Sequence, residues 1–194
     1  MKEIIRLVGV LCVICAVAGA LLASVHRITQ APIEAAAKAE TVAAVRDVLP
    51  ESDNDPVADA VAVEHHGAEW TFYVAKRNGA FNGAAFETAS PEGYGGGISV
   101  MVGVRADGAV NGIAILQHHE TPGLGAHIEG EPFRGQFEGR RPDATQWAVR
   151  KDGGDIDQIT AATISSRAVV DAVERGLDVY QQYARMIRAG GEQW

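Results

Sequence analysis

Ten consecutive residues, Asp157-Gln158-Ile159-Thr160-Ala161-Ala162-Thr163-Ile164-Ser165-Ser166, concentrate hydroxyls and small side chains just ahead of an amphipathic run. A helix that starts near Thr163 presents unpaired backbone N–H groups and partial positive charge, which together can hold a phosphate with help from adjacent hydroxyls. Small Ala161 and Ala162 leave room for such a group to approach. Arg167, one turn in, either adds charge or faces solvent. Ser and Thr are also the ordinary caps of helices and need no ligand to explain them. Residue types alone therefore leave both readings open. A threonine-nucleophile hydrolase has little support, since no positioned base or amino-terminal threonine accompanies Thr163.

A second concentration of chemistry lies at His118-His119-Glu120-Thr121-Pro122-Gly123-Leu124-Gly125. Thr-Pro-Gly-Leu-Gly reads as a tight turn whose glycines permit close backbone approach and whose Leu124 can be offered to an apolar face. A plain structural turn between strands is the alternative. His118, His119, Glu120 and His127 are of the types zinc accepts, but their spacing matches no helical His-Glu-x-x-His pattern, and His65 and His66 show histidines scattered elsewhere. A non-redox metal-binding module thus stays open as a rival function. Between the two strand pairs described next sits Gly93-Tyr94-Gly95-Gly96-Gly97, too permissive for ordinary strand, with Tyr94 available as an aromatic contact.

These segments need a frame. Trp70 to Lys76 is rich in β-formers, Asn78-Gly79 can supply the positive φ angles of a hairpin, and Phe81 to Thr88 can return. Ile98, Val100, Val102 and Val104 alternate strictly, Asp107-Gly108 is a second hairpin signal, and Val110 to Leu116 is a partner strand. Val169, Val173, Leu177, Tyr180, Ala184 and Ile187 follow a 3–4 spacing that predicts a helix from Thr163 to the Gly190-Gly191 stop. Earlier, Thr29 and Pro32 offer a cap and a first-turn proline for a helix carrying Ile33, Ala37, Val42, Val45 and Leu49 as far as Pro50. Polar Glu51 to Pro56 follows as a linker. Strands in the middle with helices at both ends make an α+β domain with a mainly antiparallel sheet.

The chain has 194 residues, of which 17 are basic and 25 acidic, a formal charge of −8, with 47% apolar residues and two cysteines. Those values exclude a disulfide-stapled miniprotein and a disordered chain. An acidic chain without a Lys/Arg cluster lacks the electrostatic footprint of nucleic-acid binding. Leu7 to Val25 carries no charge and, at about 1.5 Å per residue, spans roughly 28 Å, enough to cross a bilayer once. Lys2, Arg6 and the small residues Ala20 to Ser24 also suit a signal peptide, but the apolar run exceeds the roughly 7–15 residues usual there, which favours a retained anchor. Lys2, Arg6 and the N-terminal amine face Arg27 and Lys38 across that run, so counting positive charge puts the N-terminus in the cytoplasm by a small margin. Beyond residue 25 the chain keeps 15 basic and 24 acidic residues (17 − 2 and 25 − 1), a charge of −9, and no cysteine. Cys12 and Cys15 lie within the apolar run, where they read as small packing residues, and Leu11 and Ile14 before them do not suit a lipoprotein cleavage site. The organisation expected is a cytoplasmic terminus over 1–6, a transmembrane helix over 7–25, a helix and linker over 26–56, and a soluble domain over 57–194.

The order Asp157-x-x-Thr160-Ala161-Ala162-Thr163 resembles the flavinylation motif, Asp-x-x-Ser/Thr-Gly-Ala-Thr, of two FMN-binding proteins: the G subunit of the Rnf electron-transport complex and the C subunit of the sodium-translocating NADH:quinone oxidoreductase. The stretch His118-His119-Glu120-Thr121-Pro122-Gly123-Leu124-Gly125 matches a second family segment, and Gly93-Tyr94-Gly95-Gly96 and the Phe133/Phe137 pair are also similar. With the anchor included, the resemblance covers nearly the whole chain. It implies FMN held covalently by a phosphoester at Thr163, with Glu120, Thr121, Leu124 and Gly125 lining the flavin pocket and Tyr94, Thr160 and Ala162 as further contacts. It implies a dedicated flavin transferase using FAD and Mg²⁺ as a maturation partner. The role implied is that of an electron carrier anchored in the cell membrane, with its C-terminal domain on the periplasmic or extracytoplasmic side. It would work among other Rnf membrane subunits that couple ferredoxin/NAD electron transfer to ion pumping. A stand-alone anchored FMN domain serving another reductase or a regulator is the rival within the redox class. Gly9, Ala16, Gly19, Ala20 and Ala23 would let the anchor pack closely against membrane neighbours. One departure stands out: Ala161 occupies the family's glycine position, and a glycine-only backbone angle there would cost about 1 kcal/mol. Asp157 suits loop capping or recognition by the modifying enzyme better than contact with a phosphate.

Overall fold

The computed structural model describes residues 1–190, so Gly191 of the expected helix stop lies outside the described residues. Helix α1 spans Lys2–Val48, and the boundary between the chain's two compact units falls within it, after Glu40. In the first unit, the helix carries an 18-residue window of mean hydropathy 2.6 with none of it buried, long and apolar enough to cross a membrane. The expected break at Thr29 and Pro32 does not occur, because α1 runs straight through both. Thr29 Oγ1 donates to the carbonyl of Val25 at 2.8 Å, so the hydroxyl bonds back along the helix instead of capping a new one. Pro32 removes one N–H from the ladder inside the helix, yet α1 continues past it to Val48.

The second unit, Thr41–Trp194, is built on one antiparallel sheet in the order β1-β2-β3-β4-β5. Its strands are β1 Val61–His65, β2 Ala68–Arg77, β3 Ala80–Gly93, β4 Gly96–Arg105 and β5 Val110–Gln117. Asn78 and Gly79 both have positive φ (52° and 75°), the type I′ geometry whose twist matches the strands. His66 and Gly67 do the same at 50° and 78°, closing the β1–β2 hairpin, an element whose Val61/Val63 alternation the sequence reading passed over. The glycine-rich segment forms the β3–β4 hairpin, in which Gly93 pairs with Gly96 and Tyr94-Gly95 makes the turn.

Alternation on β4 decides which layer each side chain joins. Ile98, Val100, Val102 and Val104 point into the core shared with helix α3, Thr163–Arg188, whereas Met101 points to the opposite face. Val169, Val173, Leu177, Tyr180 and Ile187 of α3 are buried there with Phe72 and Phe86, and Ala184 is half-buried. Each such large apolar side chain contributes about 1.5–3 kcal/mol of burial. Gly176 allows α3 to lie this close, because a Cβ there would sit 2.6 Å from the Phe86 ring. Thr88 Oγ1 adds a buried hydrogen bond to the carbonyl of Ala172 at 2.8 Å, which fixes the helix along β3. On the other face, the last turn of α1 packs Ala44, Val45 and Val48, followed by Leu49, against Ala75, Ala85, Met101 and Ala114. Between β5 and α3 the chain forms short helical turns, including Gly125–Glu129 and α2, Glu131–Arg134, and one isolated β-bridge, Val149 to Ile156, with Phe133 and Phe137 in edge contact at 5.5 Å.

Candidate functional site

Three segments far apart in sequence meet where α3 begins: the β3–β4 turn, the 118–125 loop after β5, and the first turn of α3. The Glu120 carboxylate joins them. Its Oε1 accepts the Gly95 N–H at 3.1 Å, and its Oε2 accepts the Ser165 hydroxyl at 2.7 Å, bridging 25 and 45 positions of chain. Glu120 is 5% exposed and has no cationic partner among the described residues. Room for it comes from missing side chains. A Cβ on Gly125 would sit 2.4 Å from Oε2, and one on Gly93 would sit 2.7 Å from Oε1. Gly95 is equally constrained, since its Cβ would stand 1.9 Å from the carbonyl oxygen of His119.

His118 steadies the base of this loop. Its Nδ1 accepts the Glu120 N–H at 3.0 Å, which leaves Nε2 to donate to Glu129 at 2.8 Å and so specifies the tautomer. His127 faces a different cavity from Glu120. Among the described residues, no group of three or more His, Cys, Asp or Glu side chains is arranged to hold a metal.

The three segments enclose a cavity of about 420 Å³, within the range of small-molecule sites. Tyr94, Glu120, Thr121, Leu124, Gly125, Ala162 and Thr163 all line it, seven of the eight residues expected at the site. Tyr94 (70% exposed), Leu124 and Ile164 (46% each) are large apolar side chains left open to solvent around it. Ala161, Ile164 and Ser165 complete the lining. The sequence reading named all three within the motif but assigned none of them to the pocket. For Ser165 no local spacing could have done so, because its partner Glu120 is 45 residues away.

Thr163 is the first residue of α3, as expected, and no side chain caps that helix. The hydroxyls of Ser165 and Ser166 are committed elsewhere, Ser166 Oγ donating to the carbonyl of Ala162 at 2.9 Å and accepting the Ile159 N–H at 3.0 Å. The first-turn N–H groups are therefore left for an anion entering from the cavity. Ala161 has φ 63°, a left-handed angle that an alanine rarely adopts. That turn divides the motif. Thr160, the eighth expected residue, does not line the first cavity but another of about 550 Å³, with Asp157, Gln158 and His127. Asp157 is held by Arg150 at 2.5 Å, and its backbone N–H is accepted by Gln136 Oε1 at 2.7 Å. Arg167 adds no charge to the cavity. It donates from two nitrogens to Asp152 at 2.6 and 2.7 Å, which lowers the Asp152 pKa below its ordinary value, mainly through those hydrogen bonds, and raises that of the guanidinium.

An α+β unit with an uncapped helix N-terminus, an adjacent threonine hydroxyl and an open apolar rim has the features of a site that can take a phosphate-bearing ligand. Residues 93–178 match the family described as FMN-binding domain, a span that contains every lining residue of the cavity. The chain is 40% identical over 176 residues to the G subunit of the ion-translocating oxidoreductase complex of Cereibacter sphaeroides, covering 86% of this chain and 80% of that one. The corresponding figures for the Escherichia coli K12 protein of the same name are 39% over 165 residues, with 80% of each chain covered. The chain belongs to this family of G subunits. The crystal structure of Shewanella oneidensis NqrC shares the fold, with a TM-score of 0.51 at 16% identity over 71% of this chain and 75% of that one.

Proposed function

We propose that this chain is the membrane-anchored, FMN-carrying electron-transfer subunit of an Rnf-type ion-translocating oxidoreductase complex, with the flavin attached through its phosphate to the Thr163 hydroxyl. The observation that carries this reading is the convergence of Thr163 with Tyr94, Thr121 and Leu124 on one cavity, although 69 positions separate Tyr94 from Thr163 (163 − 94). The site fits the group: a hydroxyl and free N–H donors stand at one end and apolar surface at the open side, with glycines where a Cβ would intrude. FMN supplies reversible one- and two-electron chemistry, and the protein supplies position and electrostatics. Thr163 holds the phosphate end, and the first turn of α3 stabilises its negative charge. Leu124 and Tyr94 offer apolar contact to the ring while leaving one edge accessible to an electron partner.

In maturation, a flavin transferase supplies the FMN moiety from FAD: the Thr163 oxygen bonds to the FMN phosphorus as the pyrophosphate P–O bond of FAD breaks, AMP leaves, and the hydroxyl proton is released. Asp157 and Thr160, on the far side of the Ala161 turn, form part of the face that the transferase recognises. The α1 anchor holds the domain at the periplasmic surface, where a detached cofactor would be lost and a covalent one keeps its local concentration. The remaining integral subunits of the complex are its electron partners.

The test is Thr163→Ala in the full chain, produced with the transferase. Wild-type protein washed in denaturant stays yellow and yields a flavin-bearing tryptic peptide spanning 152–167. The variant is colourless after the same wash, with unchanged far-UV circular dichroism. Flavin retained covalently on the variant refutes the assignment.

A further inference from the structure

Among the described residues lining the cavity, Glu120 is the only one of type Asp, Glu, Lys, Arg or His. Buried charge normally comes with a counter-ion, because removing an ion from water costs several kcal/mol that neutral donors repay only in part. Here both partners of the carboxylate, the Gly95 N–H and the Ser165 hydroxyl, are neutral. Hydrogen bonding alone does not require the charge. A glutamine would accept the Gly95 N–H through its oxygen, and the Ser165 hydroxyl can turn to accept from the amide nitrogen. Gly93 and Gly125 nevertheless leave the space in which this carboxylate sits, each lacking a Cβ that would collide with one of its oxygens.

We infer that Glu120 is a positioning and tuning residue: its carboxylate is a fixed negative charge in the cavity wall that holds the reduction potential of the flavin low. The inference rests on the reading that FMN occupies this cavity. Reduction adds electrons to the ring, and a carboxylate in a poorly screened site opposes added negative charge more strongly than it would in water. Ser165 moderates the effect, because its O–H dipole partly compensates the charge. The same carboxylate ties the Tyr94 turn and the Leu124 loop to α3, so charge and geometry must be separated by experiment.

Spectroelectrochemical titration of the full-length, covalently loaded protein in detergent separates them. In Glu120→Gln, the ratio of reduced to oxidised flavin at a given ambient potential rises at least tenfold, equivalent to about 59 mV for one electron. In Ser165→Ala, which disturbs the same contact but leaves the charge less compensated, the midpoint falls. A smaller rise, no change or a fall in Glu120→Gln overturns the inference. Should Glu120→Gln fail to accumulate loaded protein, Ser165→Ala decides alone, and a midpoint equal to or above that of the wild type overturns it. Wild-type protein that loses its colour in denaturant refutes the covalent assignment instead, so the two failures are distinguishable.

Discussion

Replacing Ala161 by glycine should make this protein more stable, against the usual effect of introducing glycine. Ala161 holds φ 63°, where an L-residue with a Cβ costs about 1–2 kcal/mol relative to the right-handed region. Glycine removes that strain but adds freedom to the unfolded chain, an offset of about 0.4–1 kcal/mol. The net gain is about 0.5–1 kcal/mol, and at roughly 2–4 °C per kcal/mol for a domain of this size the melting temperature rises by about 1–4 °C. Ala162→Gly is the matched control. Ala162 has φ −132° and is 6% exposed, so glycine there loses a buried methyl worth about 0.8 kcal/mol and gains no relief. Both variants are melted as flavin-free full chains in the same detergent, so that ligand binding does not shift the transition. A fall in melting temperature for Ala161→Gly would refute the argument, since the strain it invokes would then be absent.

Gly103→Ala should detach the last turn of α1 from the sheet, because its Cβ would meet the Val48 carbonyl oxygen at 1.9 Å, a backbone collision that costs about 1–3 kcal/mol. Hydrogen exchange over residues 41–49 then accelerates while β3 and β4 stay protected, and unchanged exchange in that segment contradicts the packing. Asp152→Asn tests the contact between Arg167 of α3 and Asp152. A carboxyl whose folded pKa lies below its unfolded value adds stability above about pH 4 and loses it as the pH falls through the folded value. The urea midpoint of wild type should therefore exceed that of Asp152→Asn at pH 7, and the gap should close as the pH falls below about 4; a gap of constant size speaks against the ion pair. Thr163→Ser, which keeps a hydroxyl at the helix start, should retain some denaturant-stable flavin where Thr163→Ala retains none; equal loss in both would mean that the methyl group, rather than the oxygen, is what the site requires.

Local chemistry made much of this molecule legible from residue order. Asn78-Gly79 and Asp107-Gly108 announce hairpins because each supplies a glycine for a positive φ, at Gly79 and at Gly108, and the β4 alternation announces a two-faced strand because side chains switch sides at every residue. The start of α3 at Thr163 followed from its apolar spacing and the hydroxyl-rich run before it. Where the signal is a weak local preference, the structure overruled it. Thr29 and Pro32 resemble a helix start, but α1 continues through both, with the Thr29 hydroxyl bonded back to Val25. Residue chemistry alone left the 118–125 segment open between a site and a plain turn; it was the resemblance to the family that named Tyr94, Glu120, Thr121, Leu124 and Gly125 together, and the structure brings these five to one cavity.

What residue order could not convey is which of those motifs share a cavity. Ser165 meets Glu120 across 45 residues, Thr160 falls on the other side of a left-handed turn from Thr163, and Arg167 is drawn away to Asp152. The sequence determined the local conformations and the reactive groups, since those depend on neighbours a few positions apart. Only the tertiary structure decided that the Tyr94 turn, the Glu120 loop and the head of α3 close around a single space. That closure depends on how α3 seats against β3, through the gap at Gly176 and the hydrogen bond from Thr88, contacts between residues that are neighbours only once the chain has folded.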